Sequence, residues 1–122
     1  MSGMRGLIVI VAGKDPDRFH AALSLAAANA ALGRRSRMFL QGEAAALLAA
    51  PASAGDPERA RHGVPTVADL LAESIAIGVE IIVCQSGLAL AGISAEELPS
   101  EVTTGGLVQL LSSRGDDEMV MA

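Results

Sequence analysis

A single cysteine, Cys84, follows the apolar run Val79-Glu80-Ile81-Ile82-Val83 and precedes Gln85-Ser86-Gly87. A β-branched run that ends in a small polar and glycine turn reads as a buried parallel strand. Ligands of open α/β sheets bind beyond the carboxyl ends of such strands. Cys84 then stands at the rim where chemistry takes place, with Gln85, Ser86 and Gly87 supplying backbone N–H groups beside it. The thiolate is the reactive form of cysteine, and the N-terminus of a following helix lowers a thiol's pKa. A structural reading competes with this one: free cysteine is among the most buried residue types, and Cys84 could simply finish a strand.

Gly13 follows the first apolar run and precedes a helix start, a geometry whose free N–H groups can hold an anion, with Lys14 beside it. The chain lacks the Gly-x-Gly-x-x-Gly and Gly-x-x-x-x-Gly-Lys-Ser/Thr patterns, so a plain strand-to-helix turn is the simpler reading of Gly13. Gly105-Gly106, after Thr103 and Thr104, would let a ligand approach the backbone, or would serve as a connector needing permissive angles. His62 has a side chain suited to proton shuttling, although a solvated loop histidine explains it equally, and His20 falls within a helix. One cysteine and two distant histidines cannot fill a closed zinc site, which takes four ligands. Neither a metal nor an organic cofactor is expected, and a Cys–His protease is disfavoured by the same scarcity.

The 122 residues, 51% of them hydrophobic, suffice for one core, and a single domain over 1–122 is expected. A lone cysteine forms no internal disulfide, which fits a reducing cytoplasm. With 9 Lys and Arg against 14 Asp and Glu, the net charge of -5 opposes binding to phosphate backbones and anionic membranes. Two Phe and no Trp or Tyr leave no aromatic platform for stacking bases, so nucleic acid is not an expected partner. The apolar stretch after Arg5 is shorter than a secretory h-region and runs into Lys14-Asp15, so no leader is expected. Glu73, Glu80 and Gln85 interrupt the longest candidate for a spanning helix.

The elements that must position these residues follow from the same pattern. Residues 6–12 form a continuous apolar strand, and Asp15-Pro16-Asp17 caps and opens a helix with Phe19, Leu23, Ala26 and Ala30 on one face. Gly33 ends that helix, and residues 36–41 read as a second strand. From Gly42-Glu43 an alanine- and leucine-rich helix is expected to residue 50, stopped by Pro51, after which residues 51–65 read as a mobile surface loop. Thr66 caps a helix with Val67, Leu70, Leu71 and Ile75 on its apolar side, leading into the strand that carries Cys84. Residues 85–92 read as a turn, Ser94-Ala95-Glu96-Glu97 as a short capped helix, and Thr103 or Thr104 as the cap of a last helix ended by Gly115. Residues 118–121 close the sheet, and a weak strand near Glu101-Val102 is optional. Alternating strands and helices imply a mainly parallel sheet with helices on both faces.

The order of these motifs resembles the DsrE/DsrF-like (DsrE/DsrF/DsrH-like) sulfur-relay family. The similarity rests on Leu-Ile-Val-Ile-Val-Ala-Gly at residues 7–13, Asp-Pro-Asp-Arg at 15–18, and Ala-Leu-Gly before Met-Phe-Leu. It continues through Thr66-Val67-Ala68-Asp69-Leu70-Leu71, the strand ending at Cys84 and Gly105-Gly106-Leu107. The resemblance implies a three-layer α/β/α domain with about five strands, assembly into homotrimers or hexamers, and a cysteine persulfide at the position of Cys84. On this reading Cys84 accepts a sulfane sulfur from a donor protein and passes it to an acceptor thiol. Gly13 and residues 103–106 would line the pocket. Two other classes remain: a non-catalytic assembly or regulatory subunit, and a small-ligand binder at the strand ends.

Overall fold

The computed structural model describes residues 5–48 and 54–122. Five parallel strands form one sheet in the order β4-β3-β2-β1-β5, comprising β1 Leu7–Ala12, β2 Ser36–Gln41, β3 Glu80–Cys84, β4 Thr103–Gly105 and β5 Glu118–Met121. The helices are α1 Pro16–Ala31, α2 Asp56–Arg61, α3 Val67–Ala76, α4 Gln85–Ala91 and α5 Leu107–Ser112, with 3-10 segments at Gly42–Leu48 and Ala95–Glu97.

The continuous apolar runs of the central strands are explained by burial on both faces. Val9, Val11, Met38, Leu40, Ile81 and Val83 point into the larger core, where they meet Phe19, Leu23 and Ala26 of α1, Leu70 of α3, and Leu47. Their neighbours Ile8, Ile10 and Phe39 point the other way, against Leu110 of α5, with Ile82, Cys84 and Met119 at the margin. The layers are therefore unequal. Among the described residues, only α5 contributes a helical side chain to the smaller cluster, and the β3–β4 half of that face carries less cover.

Local capping sets several boundaries as the sequence predicts. Asp15 accepts the Asp17 N–H at 2.9 Å ahead of Pro16, and Thr66 Oγ1 accepts the Asp69 N–H at 3.0 Å. The Ser94 N–H donates to Glu97 Oε2 at 2.8 Å, closing the short turn expected there. Residues 118–121 form the closing strand.

Four expectations are corrected. Residues 85–92 are not a turn: Gln85–Ala91 form α4, which buries Gly87 and Leu88 and ends at Gly92. The alanine-rich helix after β2 is a 3-10 segment at Gly42–Leu48, a tighter winding that seats Ala44, Ala45 and Leu47 in the core; residues 49 and 50 and the stop at Pro51 lie outside the described residues. Of the expected loop at 51–65, residues 51–53 lie outside the described residues and the remainder is not a plain surface loop. It contains α2, whose buried Asp56 accepts the Val67 N–H at 2.8 Å and the Arg59 guanidinium at 2.8 Å, a tertiary use of polar residues that composition does not reveal. Thr103 and Thr104 do not cap α5. They lie in β4, the optional strand displaced from Glu101-Val102, whose backbone pairs with β3 through Ile82↔Thr103, Val83↔Thr104 and Cys84↔Gly105, while Gly106 takes the capping position.

Candidate functional site

Cys84 is both the last residue of β3 and the residue from which α4 springs, with extended backbone at φ -62° and ψ 122°. That double position leaves the first N–H groups of α4 without helical acceptors, close to the residue that bears the sulfur. Burial alone would raise the pKa of the half-buried thiol. Hydrogen bonds from the backbone N–H groups of Gly42, Gly87 and Ser86 outweigh it, holding the thiol below its ordinary value.

Two glycines make this convergence possible. Gly42 opens the 3-10 segment at φ +57°, a left-handed turn at the end of β2. Gly87 lies so close to that turn that a Cβ placed on it would meet Gly42 O at 2.1 Å and Ala45 Cβ at 3.2 Å. Backbone thus packs on backbone, and only glycine at position 87 lets α4 start this close to the 3-10 segment.

Outside the sulfur lies a pocket of about 250 Å³, walled by Gln41, Gln85 and Ser86 on one side and Gly105, Gly106 and Leu107 on the other. Of the residues that the sequence singles out, the structure brings Cys84, Gln85, Ser86, Gly105 and Gly106 together here, with Gly87 buried behind the thiol. Thr104 lines an adjoining groove that shares Gly105 and Gly106. Gly13 and Lys14 line neither cavity and sit beyond the end of β1. His20 bonds the Pro65 carbonyl at 2.8 Å and His62 pairs with Glu58 at 2.9 Å, both removed from the thiol. Gln41, Gly42 and Leu107 are functional candidates that sequence reasoning missed. Their only available signal was position at the ends of β2 and β4, which requires knowing that these strands flank β3.

Apart from Cys84, no pocket-lining side chain is titratable, so the chemistry the site can support is that of a thiolate with backbone stabilisation of charge on sulfur. Gln41 Oε1 is buried there without a hydrogen-bond partner among the described residues. Among the described residues, no three His, Cys, Asp or Glu side chains assemble as a metal cluster, and no helix is long and apolar enough to cross a membrane.

A parallel five-stranded sheet with a cysteine at the end of its β3 strand defines a small α/β protein with a candidate thiol site. Residues 5–117 match the DsrE/DsrF-like family, and the chain belongs to it. A comparison with curated proteins gives no match. The fold is similar to that of the YchN protein of E. coli, with a TM-score of 0.75 at 20% identity over 97% of this chain and 98% of that one. It is also similar to MTH1491 of Methanobacterium thermoautotrophicum, at 0.71 and 12% over 98% and 100% of the two chains. BT1422 of Bacteroides thetaiotaomicron gives 0.69 and 16% over 100% and 98%. The last two are described as proteins of unknown function.

Proposed function

We propose that the protein is a sulfur carrier of a cytoplasmic sulfur relay, with Cys84 as the atom that bears the cargo. The observation that carries this reading is a half-buried thiol at the junction of β3 and α4 that opens into a pocket, its pKa lowered by the neighbouring backbone N–H groups. Such donors stabilise a thiolate, and after transfer they would stabilise the persulfide anion in the same place. In the loading step the Cys84 thiolate attacks the terminal sulfur of a donor persulfide. A bond forms between the two sulfur atoms, the donor's own S–S bond breaks, and its electron pair leaves on the donor thiolate. Unloading is the same exchange with an acceptor thiolate attacking the outer sulfur of Cys84, so neither a redox cofactor nor a metal takes part.

The family supports a role of this kind, and it supports working as a homo-oligomer, trimeric or hexameric, that meets donor and acceptor proteins. Exposed apolar side chains on α5 and β5 favour self-association, as argued below. Intact-protein mass after exposure to a persulfide donor tests the reading. The expected result is reversible gain of one sulfur atom, absent in Cys84→Ser. No gain in the native wild-type protein would favour an assembly subunit with an inert cysteine.

A further inference from the structure

Between α3 and the segment that leads into β4 runs an apolar groove of about 470 Å³ that the thiol site does not use. Leu71, Ala72, Ile75 and Ala76 form its floor, and Pro99 and Glu101 its far wall. Leu71 and Ile75 pack inward against the larger core, whereas Cys84 lies at the margin of the smaller cluster, so groove and thiol belong to opposite faces of the sheet. The rows of α3 explain the shape. Residues four apart stand one above the other on a helix, so Leu71 and Ile75 make an apolar row, Ala68, Ala72 and Ala76 a row of small side chains beside it, and Asp69 and Glu73 the next row outward. The middle row is too short to fill the space against Pro99, and a trough remains.

Both rims of this trough are acidic, with Asp69 and Glu73 exposed on one side and Glu101 on the other. From His62 to Ser113 the chain has no Lys or Arg. Asp69, Glu73 and Glu101 enter none of the ion pairs formed among the described residues. An apolar floor between carboxylates that the chain does not neutralise is complementary to apolar side chains flanked by positive charge, and it repels nucleic acid and anionic lipid. The conformation of the occupant follows from the backbone. No strand lines the groove, so it offers no ladder to an extended segment, which would bury its own N–H and C=O groups unpaired; a helix arrives with them already paired.

We propose that the α3 groove docks a cationic amphipathic helix of a partner protein, its apolar side on Leu71, Ala72 and Ile75 and its Lys or Arg side chains against Asp69, Glu73 and Glu101. The alanine row lets the two helix axes approach to about 8 Å, the close end of helix packing. From Ala68 to Ala76 the trough runs about 12 Å, which two turns of the partner cover with apolar residues at helical spacing. Because this face is not the one that carries the Cys84 pocket, a docked partner leaves the thiol open to exchange. The docking site stands whether or not Cys84 carries sulfur.

The probe is a labelled synthetic peptide of about 18 residues, long enough to hold a helix, with Leu at helical spacing and Lys at the flanking positions. A scrambled peptide of the same composition and a peptide with Glu in place of Lys are the controls. Added to the full chain, the Lys peptide is expected to shift the amide signals of Leu71, Ala72 and Ile75, and to bind more weakly at about 0.5 M salt than at about 0.05 M, while both controls leave those signals in place. Glu73→Lys combined with Glu101→Lys should raise its Kd about tenfold. Ala72→Arg keeps a good helix former but fills the trough with like charge, and should abolish the shifts, with Ala72→Ser behaving as wild type. An unchanged alkylation profile of Cys84 verifies that each variant is folded. Equal binding of the scrambled peptide, binding that the charge reversals do not weaken, or no shift on α3 at about millimolar peptide overturns the site. So does an Ala72→Arg chain whose mass in light scattering falls below that of wild type, since a second copy of the chain would then be the occupant.

Discussion

The sulfur of Cys84 is governed by backbone rather than by charged side chains, and this makes its behaviour predictable from geometry. Alkylation of the native protein is expected to follow a single ionisation with its midpoint below the free-thiol value of about 8.5, read from rate against pH. A depressed acid contributes stability above its unfolded pKa and loses it as pH falls through the folded one. Cys84→Ser should therefore cost more stability at about pH 9.5 than at pH 6, measured by denaturant unfolding at each. Gly87→Ala tests the architecture behind the thiol. Its methyl group would collide with Gly42 O, so α4 must move away from the 3-10 segment, with a stability loss of about 1–3 kcal/mol and a rise of the alkylation midpoint toward the free value. Unchanged alkylation in a folded Gly87→Ala protein would contradict the assigned donors. Cys84 and the three residues after it were legible in the sequence because a unique thiol at a strand end is a local signal. Gln41 and Gly42 were not, because they reach Cys84 only through the pairing of β2 with β3.

At the level of elements, legibility followed how locally each one is specified. The strands β1, β2 and β3 and the helices α1 and α3 carry their own periodicity and caps, and they appear where the residue pattern puts them. The helices α2 and α4 are short, and what anchors them, polar ties of Asp56 and Arg59 in α2 and the packing of Leu88 in α4, comes from neighbours distant in sequence, so polar and glycine content disguised them as loops. Asp56 shows the mechanism. Burial would raise its carboxyl pKa, but the N–H groups of Val67 and Ala68 and the Arg59 side chain hold it below the ordinary value. Arg59 in turn reaches Asp17 of α1 at 2.6 Å, so one arginine ties α2 to both α1 and the start of α3. Asp56→Ala removes the tertiary cap of α3 and one partner of Arg59, with an expected cost of about 1–3 kcal/mol at neutral pH. That cost is present above pH 4 or so and fades as pH falls through the depressed folded pKa, because wild type then protonates too. Hydrogen exchange should show faster exchange of the α3 amides Val67 and Ala68 in the variant. Equal protection would mean that α3 is held by packing alone.

Across the whole molecule, the unequal covering of the sheet sets the terms for association. The sides of α5 are divided: Leu110 packs inward at 3% exposure, whereas Val108 and Leu111, three residues apart on the helix, are 84% and 53% exposed. Met121 of β5, an edge strand, lies on the α5 side of the sheet and is 68% exposed. Scattered apolar side chains are ordinary on a surface, but a stripe that joins a helix face to an unpaired strand edge is the kind of patch that self-complementary interfaces cover. Val108 and Leu111 point away from Gln109 and Ser113, which line the groove adjoining the thiol pocket, so copies could associate there without filling it. The wild-type chain is therefore expected to form a homo-oligomer at micromolar concentration in light scattering. The double variant Val108→Glu, Leu111→Glu should shift it toward monomer, since each new carboxylate would have to be desolvated on association. Because neither residue touches the Cys84 pocket, the monomer should keep its alkylation profile. A wild type that is monomeric throughout, or a double variant with unchanged mass, would remove α5 as the association surface.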